Sequence, residues 1–99
     1  MQLSRRRSAS VEDSTISFPR LECWNPMTKM ATIAAEMNKR RILCRVSLAV
    51  LRKKYKASDE APMEAVAANR VALQEAARKL IEAKAFEEDG SILIRQRDT

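Results

Sequence analysis

The sequence predicts a small α+β protein: an antiparallel sheet in the order β-β-α-α-β, with two helices packed on one face. Three observations carry this reading. Residues 31–46 alternate apolar and polar side chains on both sides of Asn38-Lys39, as the arms of a β-hairpin do. The stretch from Pro62 to Phe86 repeats apolar residues at helical spacing. The only glycine, Gly90, then separates that stretch from the branched apolar run Ile92-Leu93-Ile94, so a helix ends and a strand begins near it.

Residues 1–14 are polar, contain Arg5-Arg6-Arg7-Ser8 and lack periodicity, so they read as a disordered basic tail before a single domain over 15–99. Ile16-Ser17-Phe18-Pro19 is expected as a short edge strand ended by the proline, and Asn25-Pro26 as a turn. With Asn38-Lys39 as a two-residue loop, Glu36 faces Arg41, Ala35 faces Ile42, Ile33 faces Cys44, Thr32 faces Arg45 and Ala31 faces Val46. One face of the hairpin is then wholly apolar. The other carries Thr32, Glu36, Arg41 and Arg45, broken by an Ala34–Leu43 pair. A slip by one residue would scramble both faces.

Ser47 is the expected N-cap of a short helix whose buried side is Leu48, Leu51 and Tyr55. Ser58 or Asp59 is expected to cap the next helix, with Pro62 in its first turn. That helix is read as one piece to Phe86, with a narrow apolar face of Val66, Leu73 and Leu80 beside Ala76 and Ala77. Gly90 is expected as its left-handed C-cap.

Composition narrows function. Ninety-nine residues allow one domain with a marginal core, which favours dimerisation. No apolar run approaches a membrane span of about 18 residues, and no signal peptide is visible, so a cytoplasmic protein is expected. Histidine is absent and only two cysteines are present, Cys23 and Cys44, so no four-ligand zinc site is expected. One glycine cannot build a phosphate-cradling loop, and no nucleophile stands at a recognisable spacing from a base. The reading is therefore no enzyme, no metal, no cofactor and no small-molecule ligand.

Short motifs in order also resemble a small bacterial family of uncharacterised proteins, the domain of unknown function numbered 1488. They are Ile16-Ser17-Phe18-Pro19, Trp24-Asn25-Pro26, Arg41-Ile42-Leu43-Cys44-Arg45-Val46-Ser47, Ala68-Asn69-Arg70, Gly90-Ser91-Ile92-Leu93-Ile94 and a terminal Asp98. The basic tail departs from that pattern, as does Val66, where an aromatic residue is expected. The resemblance implies an α+β fold of the order above. It brings no established activity and no catalytic residues.

Two constellations remain. Asn69 and Arg70 fall at the apolar stripe of the long helix, where Arg70 is expected to lay its stem on the core and pair with a carboxylate such as Asp98. The net charge is +6, and the segment from Lys39 to Lys56 is its source, with eight bases and no acid. The candidate phosphate-binding residues are Arg40, Arg41, Arg45, Arg52, Lys53 and Lys54. The first expectation is a noncatalytic interaction module that pairs with itself as a homodimer. The alternative is an accessory protein that binds nucleic acid nonspecifically through the basic segment.

Overall fold

The computed structural model describes residues 15–99, so the expected tail lies outside the described residues. The strands are β1 (Ile16–Ser17), β2 (Glu22–Asn25), β3 (Met30–Met37), β4 (Arg40–Ser47) and β5 (Ile92–Ile94). The helices α1 (Leu48–Tyr55), α2 (Pro62–Ala68) and α3 (Arg70–Glu82) lie between β4 and β5, and a 3-10 turn, Gln96–Asp98, follows β5.

The hairpin has the expected register, pair for pair from Met37–Arg40 to Met30–Ser47. Its turn forms because Asn38 and Lys39 both take left-handed backbone angles, φ 56° and 65°, the sign a two-residue hairpin loop requires. Alternation then sorts the side chains. Ala31, Ile33, Ala35, Ile42, Cys44 and Val46 are buried beneath the helices together with Ile92 and Ile94 of β5. Leu51, Val66, Leu73, Ala76, Ala77 and Ile81 meet them from the helical layer, where the two alanines let α3 approach the sheet closely. Burial pushes the Cys44 thiol up to about 12, so it acts as a small hydrophobe.

The α+β class and the helices on one sheet face are as expected, and four details differ. First, β1 and β2 both pair with β3, as two pieces of one edge strand. Pro19 interrupts that strand because it cannot donate to the ladder. Second, β5 pairs with β4 in parallel, so the sheet is mixed rather than antiparallel. Three helices bring the chain back to the start of the sheet before β5 begins, which fixes its direction. Third, the long helix breaks at Asn69, whose Nδ2 donates to the Ala65 carbonyl (2.9 Å) and whose backbone leaves helical angles. Fourth, Gly90 is not the cap. Lys84 takes the left-handed conformation, φ 57°, and Lys84 and Ala85 donate to the carbonyls of Ile81 and Leu80. Capping also moves at α2: its N-cap is Ala61 with Pro62 in the first turn, while Ser58 accepts from the Glu60 N–H instead. At α1 the expected cap holds, Ser47 Oγ accepting from Val50 N–H at 3.2 Å.

The partner of Arg70 is also corrected. Arg70, at the start of α3, forks onto Glu22 of β2, with Nη2–Oε1 at 3.0 Å and Nε on Oε2. Asp98 instead accepts from its neighbour's backbone, Arg95 N–H, at 2.8 Å. The reason is β2, which sets Glu22 opposite Ile33 and so on the helix-facing side. The fork from Arg70, reinforced by its charge and that of Arg20, holds the Glu22 carboxyl below the usual carboxylate range.

Two predictions follow from this architecture. Gly90 has φ +85° with nothing within 4 Å of an added Cβ. Gly90→Ala therefore costs backbone strain alone, about 1 kcal/mol, and Gly90→Val about 2. Urea unfolding measures both, and a Gly90→Ala protein as stable as the parent contradicts this. Glu22 stays ionised to a lower pH in the folded chain than in the unfolded one. Its contribution is complete at neutral pH and is lost as pH falls through the lowered folded value. Arg70→Ala is expected to lower the melting temperature at pH 7, and the deficit shrinks as pH falls below the ordinary carboxylate range and through the lowered folded value of Glu22. A deficit unchanged with pH contradicts the pairing.

Candidate functional site

With the three described helices on one side, no described element covers the other side of the sheet. By alternation that side carries Cys23 of β2, Thr32, Ala34 and Glu36 of β3, Arg41, Leu43 and Arg45 of β4, and Leu93 of β5. Leu21, two residues before Cys23, continues the same side. Its centre is apolar. Leu21 and Leu43 are 47% and 46% exposed, and Ala34 between them is almost wholly shielded. The register pairs Ala34 with Leu43, and Ala34 N–H donates to the Leu21 carbonyl.

Charged residues border this centre as opposed pairs. Arg41 Nη2 lies 3.0 Å from Glu36 Oε2 across the hairpin, as the register requires. Arg45 Nη2 donates to Ser91 Oγ at 2.9 Å, and Ser91 Oγ donates to Asp89 Oδ1 at 2.6 Å. The Ser91 hydroxyl and its backbone N–H, with Arg45 nearby, hold the Asp89 carboxyl below its usual range. Arg95 Nη2 reaches Glu87 Oε2 at 3.5 Å. Acids and bases balance here, although the whole chain carries +6.

The six candidate phosphate-binding residues do not form one patch. Arg40 and Arg41 sit at the hairpin end of β4, and Arg52, Lys53 and Lys54 sit on α1 beyond its other end. The eight residues of β4 separate them by roughly 25 Å. Arg45 lies on the uncovered face between the two groups. Three of the six already meet acids: Arg41 with Glu36, Arg45 with Asp89, and Arg52 with Asp59 at 3.4 Å. The α1 group gains one residue that sequence reading did not assign: Lys29, from the β2–β3 turn, shares a shallow groove with Thr28, Ser47 and Arg52. That turn is held by Asn25 Oδ1, which accepts from the N–H groups of Met27 and Thr28.

Asn69 breaks the helix, and Arg70 ties α3 to the edge strand. The acidic run Glu87-Glu88-Asp89 forms a turn closed by Gly90 N–H on the Glu87 carbonyl. Among the described residues, no group of three or more His, Cys, Asp or Glu is placed to hold a metal ion, and no helix is long and apolar enough to cross a membrane. Sequence reading missed β2, Lys29 and the apolar continuity of Leu21, Ala34 and Leu43. The Ala34–Leu43 pair, which interrupted an otherwise polar face, was the signal for the last of these.

Comparison with known proteins agrees with this architecture. A crystal structure of a protein of unknown function from the DUF1488 family of Shewanella loihica PV-4 superposes with a TM-score of 0.75 at 24% identity, covering 82% of this chain and 92% of that one. At that identity the likeness speaks to fold. No curated protein gives a significant match. The sequence profile of DUF1488, described as a protein of unknown function, matches residues 16–94, and the chain belongs to that family.

Proposed function

We propose that the protein is a noncatalytic interaction module that works as a homodimer, paired through its uncovered sheet face. The carrying observation is the Leu21–Ala34–Leu43 centre bordered by opposed charges on a face that no element of the described chain covers. Two copies of a +6 chain repel at most orientations. This face is neutral, so it is the surface on which two copies approach without that penalty. In a two-fold interface the same patch serves both copies. Arg41 of one copy then meets Glu36 of the other, while Leu21 and Leu43 leave water together. Dimerisation would also add burial to a domain of this size, whose own core is marginal.

A second reading is nonspecific nucleic-acid binding through α1. Arg52, Lys53 and Lys54 are exposed there, and Lys29 joins Arg52 from a separate turn. Such a cluster neutralises phosphates irrespective of base sequence.

Sedimentation at micromolar concentration tests the first reading. The parent is expected as a dimer at low and high salt. Leu43→Asp is expected as a folded monomer, with an unchanged far-ultraviolet spectrum. A monomeric parent contradicts it. Titration with duplex DNA at low and moderate salt tests the second. An affinity that falls about tenfold or more, and falls further in Lys53→Glu/Lys54→Glu, supports it. No affinity at low salt removes it.

A further inference from the structure

A second surface adjoins the uncovered face at the hairpin end of β4 and shares Arg41 and Asp89 with its border. There β4 outruns β5. Strand β4 begins at Arg40, yet its pairing with β5 begins only at Cys44–Ile92. In an antiparallel ladder alternate residues turn their N–H and C=O groups toward opposite neighbours. A two-residue loop makes Met37–Arg40 the bonded pair that closes the hairpin. Ile42 then also bonds β3, and Arg41 turns its backbone the other way, toward the side where β5 has not yet started. Beyond that free edge the chain between α3 and β5 stands off, leaving a groove of about 550 Å³ lined by Met37, Arg40, Arg41, Ile42, Phe86 and Gly90, with Asp89 at its wall.

The lining has a definite chemistry. Met37, Ile42 and Phe86 are apolar, and Phe86 is 40% exposed. Arg40 is exposed and has no ion-pair partner among the described residues. Asp89, the acid of the groove, is engaged by Ser91 and Arg45. An unpaired strand edge, an apolar floor and one free guanidinium together describe a receptor for strand addition. Main-chain bonds hold an extended segment, alternate side chains enter the apolar floor, and a carboxylate meets the arginine.

We propose that the groove beside the free half of β4 binds an extended peptide that carries apolar residues and an acidic group, its backbone continuing the sheet next to Arg41 and its carboxylate paired with Arg40. Charge complementarity selects this occupant. The described wall offers a base without a partner, whereas its acid is already satisfied.

The test is a random-peptide display library panned against the full chain. Enriched sequences are expected to alternate apolar residues and to carry Asp, Glu or a free C-terminus at one fixed position. An enriched peptide, synthesised and titrated, is expected to lose roughly ten- to hundredfold in affinity toward Arg40→Glu, the scale of a lost charge-assisted pair. Phe86→Ala weakens it as well, while circular dichroism of both variants stays unchanged. N-methylation of the peptide at alternate amides is expected to abolish binding, and at the intervening amides to spare it. Leu21→Asp, which alters only the uncovered face, leaves peptide affinity intact and so separates this groove from the dimer contact. Absence of enrichment, equal binding to Arg40→Glu, or indifference to N-methylation at every position overturns the proposal.

Discussion

The structure depends on the register between β3 and β4. The Asn38-Lys39 turn sets it through two successive left-handed residues. Strand periodicity then allows no intermediate: a slip of β4 by one against β3 would turn Arg41 and Arg45 beneath the helices and put Ile42, Cys44 and Val46 in water. Burying those two guanidinium groups without partners would exceed any local gain from the turn. The turn and the sorting of side chains therefore support each other. Glu36 and Arg41, exposed and bridged across the hairpin, mark the register more than they stabilise it.

From that register the rest follows by packing. A sheet with one apolar face needs one helical layer, and α1, α2 and α3 supply it. The layer is secured at three points by local chemistry: Ser47 caps α1, Asn69 bends the path between α2 and α3, and Arg70 forks onto Glu22 of the edge strand. Both lysine-terminated helices, at Lys56 and Lys84, end in left-handed residues that turn the chain sharply enough to stay on one side. This arrangement leaves the opposite face without cover from the described elements. Its apolar centre and neutral border are the features on which the proposed pairing of two copies rests.

The hairpin was legible because two signals coincided, a period of two and an asparagine-led loop between matched arms. Ser47 and Pro62 were legible for the same kind of local reason. The direction of β5 was not, because three residues carry no mark of parallel or antiparallel pairing; only the length of the crossover decides it. Strand β2 was hidden because Glu22-Cys23-Trp24-Asn25 offers one acid, one cysteine and one aromatic rather than a run of branched residues. That omission propagated. Without β2, Glu22 could not be seen as the partner of Arg70, and the expectation rested on a carboxylate such as Asp98. The basic segment is distributed differently in space. Its eight bases fall within eighteen residues of the chain, but an extended strand carries its ends apart, so sequence density overstates spatial density. Asn69 could be placed on the apolar stripe from a helical wheel. That it would end one helix and begin another depended on its side chain reaching the Ala65 carbonyl, a choice that periodicity does not record.

Native-state hydrogen exchange, read residue by residue, tests most directly whether the β3–β4 register is the constraint on which the fold rests. The slowest amides are expected in Ala31–Ala35 and Ile42–Val46, exchanging only through global unfolding, while those of β1, β5 and the ends of α1 open at lower free energy. A hairpin that exchanges freely while α3 stays protected would contradict the account, since the helical layer would then hold its shape without the sheet that is argued to organise it.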